Sequence, residues 1–254
     1  GARWHLDIAI KHHDLELAEW CLTRGANPNS VHARSNQFPQ YSLYETAMRS
    51  SDLLMAELLV KYGAKATPIS LDPMAALATA AMQLDRGKVT ALLTEHPRLR
   101  NSFHPIFRLA EANKADAVAL LLDAGISMEV ENHIKQRPLH MAAYSNALDV
   151  ARLLIQRGAE IDPVERKYGG TPLGHASHAG NREMMELLAD HSRDFRNLVL
   201  MGRVDRVGAL LAGEPEWAMQ RWGDETTLMW LTTEEEAVAI ETARLLLQYG
   251  ADPN

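Results

Sequence analysis

Arg137-Pro138-Leu139-His140-Met141-Ala142-Ala143, followed after a short break by Leu148-Asp149-Val150-Ala151-Arg152-Leu153-Leu154-Ile155-Gln156-Arg157-Gly158-Ala159, is the stretch that decides the fold. Leu139, Ala142 and Ala143 lie three and four positions apart, which puts them on one face of a short helix. Val150, Leu153 and Leu154 fall on the inner side of a second helix. Gly158 then ends that helix, because a left-handed cap is cheap only for a residue without a side chain.

The closing signature of this unit recurs along the chain. Trp20-Cys21-Leu22-Thr23-Arg24-Gly25-Ala26, Leu58-Leu59-Val60-Lys61-Tyr62-Gly63-Ala64 and Leu245-Leu246-Leu247-Gln248-Tyr249-Gly250-Ala251 repeat it, and degenerate copies put Pro97, Gly125, Ser192 and Pro215 where the glycine would fall. The steps between these positions are 38, 34, 28, 33, 34, 23 and 35 residues. A period in the low thirties means a stack of small units, each burying its apolar face only against its neighbours. The unit after Gly158 opens Thr171-Pro172-Leu173-Gly174-His175-Ala176, where threonine is a good N-cap and proline at the first helical position needs no amide donor.

These elements resemble the ankyrin repeat, whose units run TPLHxAA, a short turn, a second helix ending in LLxxGA, and DxN into a hairpin. Thr171-Pro172-Leu173, Pro138-Leu139-His140, Leu228-Met229 and Gly250-Ala251-Asp252-Pro253-Asn254 match its parts. The same first helix is read in Leu6-Asp7-Ile8-Ala9, Tyr44-Glu45-Thr46-Ala47, Ala78-Thr79-Ala80-Ala81, His104 to Ala110 and Asn197-Leu198-Val199. The resemblance implies an all-α ankyrin-repeat solenoid with short β-hairpin fingers. It would be a single array of about eight repeats over 1–254, at roughly 1–30, 42–68, 72–100, 104–130, 137–163, 171–193, 194–216 and 226–254. It also implies that His140 is the family's structural histidine.

Irregular spacing predicts local departures. Five extra residues before Gly63 fall in Val31 to Tyr41, a polar loop, and the short step into Gly125 predicts loss of the hairpin between Arg98 and Phe103. The short step into Pro215 predicts helix following helix around Ser192 to Phe195, and a weak seam between 192 and 215. Thr232 to Glu236 reads as an insertion, with capping-box spacing from Thr233 to Glu236. The chain stops at Asp252-Pro253-Asn254 on the threshold of another hairpin, which predicts that further sequence follows.

Composition narrows the function classes. A net charge of −7 argues against nucleic acid, whose phosphates need a concentrated basic face. No apolar run reaches the roughly 18 residues of a membrane span, and one cysteine suits a reducing, cytoplasmic compartment, with export as an effector an alternative. Cys21 takes a leucine site, where a catalytic thiol would find neither access nor a cationic setting. His12 and His13 diverge by about 100° on a helix, and His175 with His178 lacks further ligands at zinc spacing. Neither G-x-S-x-G nor a phosphate-binding loop is present. No enzyme, cofactor or metal is expected.

What remains is a surface. In the family this chain resembles, the two residues after the Ala-Ala pair point into a concave groove that the finger tips extend. Those positions hold Lys11-His12, Arg49-Ser50, Gln83-Leu84, Glu111-Ala112, Tyr144-Ser145 and His178-Ala179. The fingers offer His32, Arg34 and Phe38, then Lys167-Tyr168, then Trp217 and Trp222. The candidate partner-binding set is therefore Lys11, His12, Arg34, Phe38, Arg49, Tyr144, Tyr168, His178 and Trp222, basic at first and aromatic later. The competing reading leaves groove side chains merely solvated and has Trp217 or Trp222 plug the gap beside a degenerate repeat. The resemblance implies non-catalytic protein–protein recognition of a protein or peptide partner. Its alternative is a targeting or regulatory arm of a larger enzyme or secreted effector.

Overall fold

The structure, a computed structural model, describes residues 2–30, 41–50, 52–66, 72–231 and 235–253. Its α-helices are short and follow one another in pairs: α1 (Ala2–Lys11) and α2 (Leu15–Thr23), α3 (Leu43–Arg49) and α4 (Leu53–Lys61), α5 (Pro73–Met82) and α6 (Arg86–Glu95), and α7 (His104–Glu111) and α8 (Ala115–Asp123). The series continues with α9 (Pro138–Tyr144) and α10 (Leu148–Gln156), α11 (Pro172–Ala179) and α12 (Arg182–Ala189), and α13 (Phe195–Leu200) and α14 (Val204–Gly213). The last helix, α15 (Glu236–Gln248), is preceded by a 3-10 helix, Thr227–Trp230, in place of the α-helical first member expected at Leu228-Met229. A two-residue hairpin pairs β1 (Arg221–Trp222) with β2 (Glu225–Thr226); the finger at 163–170 turns without strand pairing of its own.

Local chemistry sets the helix ends. Asp14, Asp52 and Asp85 each accept from a backbone amide three residues on and so cap α2, α4 and α6. Ser42 and Glu45 cap α3 reciprocally, and Thr171 accepts from the Gly174 amide at the start of α11. Gly25, Gly63, Gly125, Gly158 and Gly250 all take φ between 83° and 92°, the left-handed cap expected of them. Pro97 and Pro215 cannot follow, because their rings hold φ negative; each opens a 3-10 helix, Pro97–Asn101 and Pro215–Met219. The first of these stands where the finger between Arg98 and Phe103 was expected to be lost.

Two compact units divide the chain. The first comprises 1–106 with 116–126. Its core holds Leu6, Ile10, Cys21, Leu43, Met55 and Leu59, all buried. Cys21 is fully enclosed, and burial pushes its thiol pKa up, which fits packing and opposes reactivity. Asn29 ties neighbouring repeats, donating to the Gly63 carbonyl at 2.8 Å and accepting from the Lys65 amide at 2.8 Å.

The second unit comprises 107–115 with 127–254. Leu139, Ala142, Val150 and Leu154 form its inner seam, joined by Leu173, Leu188, Phe195 and Leu246. Asn113 accepts from the amides of Asp149 and Val150, and Asn181 donates to the carbonyls of Ala143 and Tyr144. The junction after α12 has helix following helix closely, as the spacing predicts, yet it is well tied. Arg206 donates to the carbonyls of Ala189 and Ser192, and Ser192 and the Arg193 amide donate to Asp162. The capping box expected from Thr233 lies outside the described residues, and α15 is entered from Glu235 without a side-chain cap.

Candidate functional site

In the second unit, α9, α11 and α13, the finger at 163–170 and the segment from Trp217 to Trp230 enclose an open cavity of about 1180 Å³. Tyr144, Tyr168, His178 and Trp222, four of the sequence candidates, all line it. Tyr144, Tyr168 and Trp222 are 52%, 71% and 53% exposed, a concentration of accessible aromatic surface. Met141, Val164 and Leu200 continue the apolar lining. Lys11, His12 and Arg49 are exposed in the first unit, and Arg49 stacks its guanidinium over Tyr41 at 4.1 Å. Arg34 and Phe38 lie outside the described residues.

The two tryptophans in doubt have different roles. Trp217 is half-buried, donates its indole N–H to Glu214, and packs its ring 5.4 Å from that of Phe195. It fills the junction, as the packing alternative has it. Trp222 stands in the hairpin, its ring edge against Gly169 and the Arg196 guanidinium 5.0 Å from its centre. Gly169 takes φ of +69° in the finger turn facing it.

A buried carboxylate holds that finger. Glu165 is 1% exposed and accepts from the amides of Lys167, Tyr168 and Gly170 at 2.6, 2.5 and 3.3 Å. Burial works against its charge, but these three amides hold the carboxyl below the usual carboxylate range. Glu165→Ala is therefore expected to cost about 1–3 kcal/mol, the penalty of leaving buried polar groups unpaired. Urea unfolding that shows no loss beyond about 0.5 kcal/mol, the surface range, would contradict this role.

Behind the cavity wall sits His140, fully buried. Its Nδ1 accepts from the Arg137 amide at 3.1 Å, so the proton is on Nε2, which faces the Gly170 carbonyl at 3.3 Å. Burial, with His175 nearby, pushes its pKa down to about 4. His175 lines the cavity with its ring 5.1 Å from His140 and 6.3 Å from Tyr144, and burial lowers its pKa as well. Among the described residues no three His, Cys, Asp or Glu side chains are grouped to hold a metal ion, and no helix is long and apolar enough to cross a membrane.

Sequence reading missed Arg196 and Trp230. Neither falls at a groove or finger position of the repeat: Arg196 lines the cavity from α13, and Trp230 from the 3-10 helix that packs against α13.

Comparison with known proteins agrees with this architecture. A family model described as ankyrin repeats matches in three copies, over residues 77–165 and 106–199. The B-cell lymphoma 3 protein homolog of Mus musculus is 30% identical over 139 residues, which are 53% of this chain and 30% of that protein. The NF-kappa-B inhibitor cactus of Drosophila melanogaster is 35% identical over 63 residues, 25% of this chain and 13% of its own. Serine/threonine-protein kinase 12 of Arabidopsis thaliana is 32% identical over 83 residues, 33% of this chain and 18% of the kinase. The chain thus spans less than a third of the length of each of these relatives. With paired helices, glycine caps and the family match in agreement, the chain belongs to the ankyrin-repeat family.

Proposed function

We propose that this protein is a non-catalytic recognition scaffold that binds a protein partner, seating a partner segment in the aromatic cavity of the second unit. The observation that carries the reading is the convergence of Tyr144, Tyr168 and Trp222, all more than half exposed, on one cavity of about 1180 Å³. Such rings supply large contact area at low conformational cost and are enriched at interface hot spots. The relative named as an inhibitor of NF-kappa-B supports a protein partner in kind, and the net charge of −7 speaks against nucleic acid. A single, buried cysteine suits the cytoplasm, the compartment we assign. Lys11 and Arg49 would act on a partner from the first unit through screened charge, mainly on the association rate.

Tyr144→Ala and Trp222→Ala are each expected to weaken a captured partner by about 1 kcal/mol or more, chiefly through faster dissociation. Lys11→Glu with Arg49→Glu should weaken it most at low salt, and the melting temperature should stay put throughout. Surface plasmon resonance on these variants checks this; unchanged affinity in all of them, with loss instead on Glu57 or Arg152 variants, would move the interface to the outer helices. A second reading, favoured by the short match to a kinase, makes the array the targeting arm of a larger enzyme. A full-length reading frame with a catalytic domain would establish it.

A further inference from the structure

The polar groups around the cavity are unevenly spent. Asp194 accepts from the Asn197 amide through Oδ1 and from Thr171 and the Asn197 side chain through Oδ2. Asp162 accepts from Ser192 through one oxygen and the Arg193 amide through the other. Glu165 is taken up by three amides. The carboxylates that line the cavity, Asp162 and Asp194, and Glu165 in the finger behind it are thus occupied by the fold itself. Two donors of the wall are not. Trp230 is 3% exposed, lines the cavity, and its indole N–H has no acceptor among the described residues. The Nε of Arg196, another lining residue, is buried and likewise has none. The guanidinium lies 5.7 Å from the Trp230 ring centre, so the two orphan donors share one neighbourhood. The Arg196 Nη2 reaches Glu225 at 3.3 Å, and that carboxylate is about half exposed, so water weakens its hold on the charge.

Buried donors without acceptors are costly, and a ligand oxygen placed on them removes that cost. A cationic donor beside aromatic planes favours an anion with an apolar neighbour. The other lining arginines, Arg193 and Arg221, are already paired with Glu214 and Asp252, so a singly charged group fits the two orphan donors better than a doubly charged phosphate, whose desolvation is greater. We infer that the segment bound in this cavity carries a carboxylate beside a large apolar side chain, the carboxylate accepting from Arg196 and Trp230 and the apolar group lying among Tyr144, Tyr168 and Trp222. This rests on the recognition reading above.

The test uses the whole chain and a random-peptide phage library. The best-enriched peptide is synthesised with a fluorophore, together with a version whose acids are amides and a version whose acids are phosphoserines. Fluorescence anisotropy is then read against wild type, Trp230→Phe, Arg196→Gln and the Tyr144→Ala Trp222→Ala pair. Trp230→Phe keeps an aromatic ring and removes the donor together with some ring volume; Arg196→Gln provides an independent variant should the first melt early. The acidic peptide is expected to bind wild type about tenfold more tightly than its amide, the worth of one hydrogen bond to a charged group. That ratio should fall towards one in either donor variant. Peptides that need Tyr144 and Trp222 but bind equally as amides, or better as phosphopeptides, overturn the carboxylate while leaving the cavity as a recognition site. A library that yields nothing dependent on Tyr144 and Trp222 overturns the cavity reading itself.

Discussion

Phe195→Ala is expected to lower stability by about 3–5 kcal/mol, the range for removing a buried aromatic ring. Phe195 is 1% exposed and packs against Trp217, at the start of α13 in the junction where the spacing predicts a weak seam. The short step into Pro215 leaves no room for a finger, and Val199 and Leu200 stand where a regular unit has its alanine pair, so the sequence alone points to weakness. The structure sets other ties against it: Arg206 on two carbonyls, Asp162 on Ser192 and the Arg193 amide, and a phenylalanine filling the space. Leu154→Ala and Leu246→Ala, both at fully buried positions of regular second helices, serve as references at about 2–5 kcal/mol. Chemical denaturation of the three variants decides between the views. A Phe195→Ala loss within about 0.5 kcal/mol of wild type would mean that this junction contributes little and opens first, as the repeat spacing alone suggests.

Acidification is expected to destabilise the protein through His140. Its folded pKa of about 4 lies below the ordinary 6.5, so the unfolded chain takes up a proton that the folded chain refuses. The stability concerned is present in full above pH 6.5 and is lost as the pH falls through the window from 6.5 to 4. The loss reaches about 3 kcal/mol at its lower end. Geometry gives the cause. Nδ1 accepts from the Arg137 amide, and a proton there would set two donors against each other inside a fully buried site. His175, also lowered by burial, adds in the same direction. Unfolding free energies at pH 7 and pH 4.5 should therefore diverge more in wild type than in His140→Gln, which cannot take up the proton. Equal divergence in both proteins would remove His140 from the account and leave His175 and the carboxylates responsible.

Much of the fold is legible in the sequence because it is local and repeated. The apolar spacing in 139–154 makes one helix pair, the glycines at 25, 63, 125, 158 and 250 end second helices by the only cheap left-handed cap, and the period stacks the pairs. The same period places Tyr144 and His178 on exposed helix ends that line one cavity. Other requirements of the backbone leave a less uniform mark. The turns between paired helices also need positive φ; Gly180 and Gly202 supply it in two of them, His13, Asn113 and Asn146 tolerate it at 56°, 51° and 54°, and only at Leu84, at 54°, does stacking impose what the residue's own preference opposes.

The chemistry of the cavity belongs to tertiary structure. That Trp217 is packing while Trp222 is surface, that Asp162, Glu165 and Asp194 are spent on the fold, and that Arg196 and Trp230 keep unmet donors all follow from contacts between residues distant in the chain. A repeat pattern states which residues face inward along each unit, because helical periodicity is a property of neighbours in sequence. It does not state which hydrogen bonds are already satisfied, because satisfaction depends on partners that only folding brings within reach.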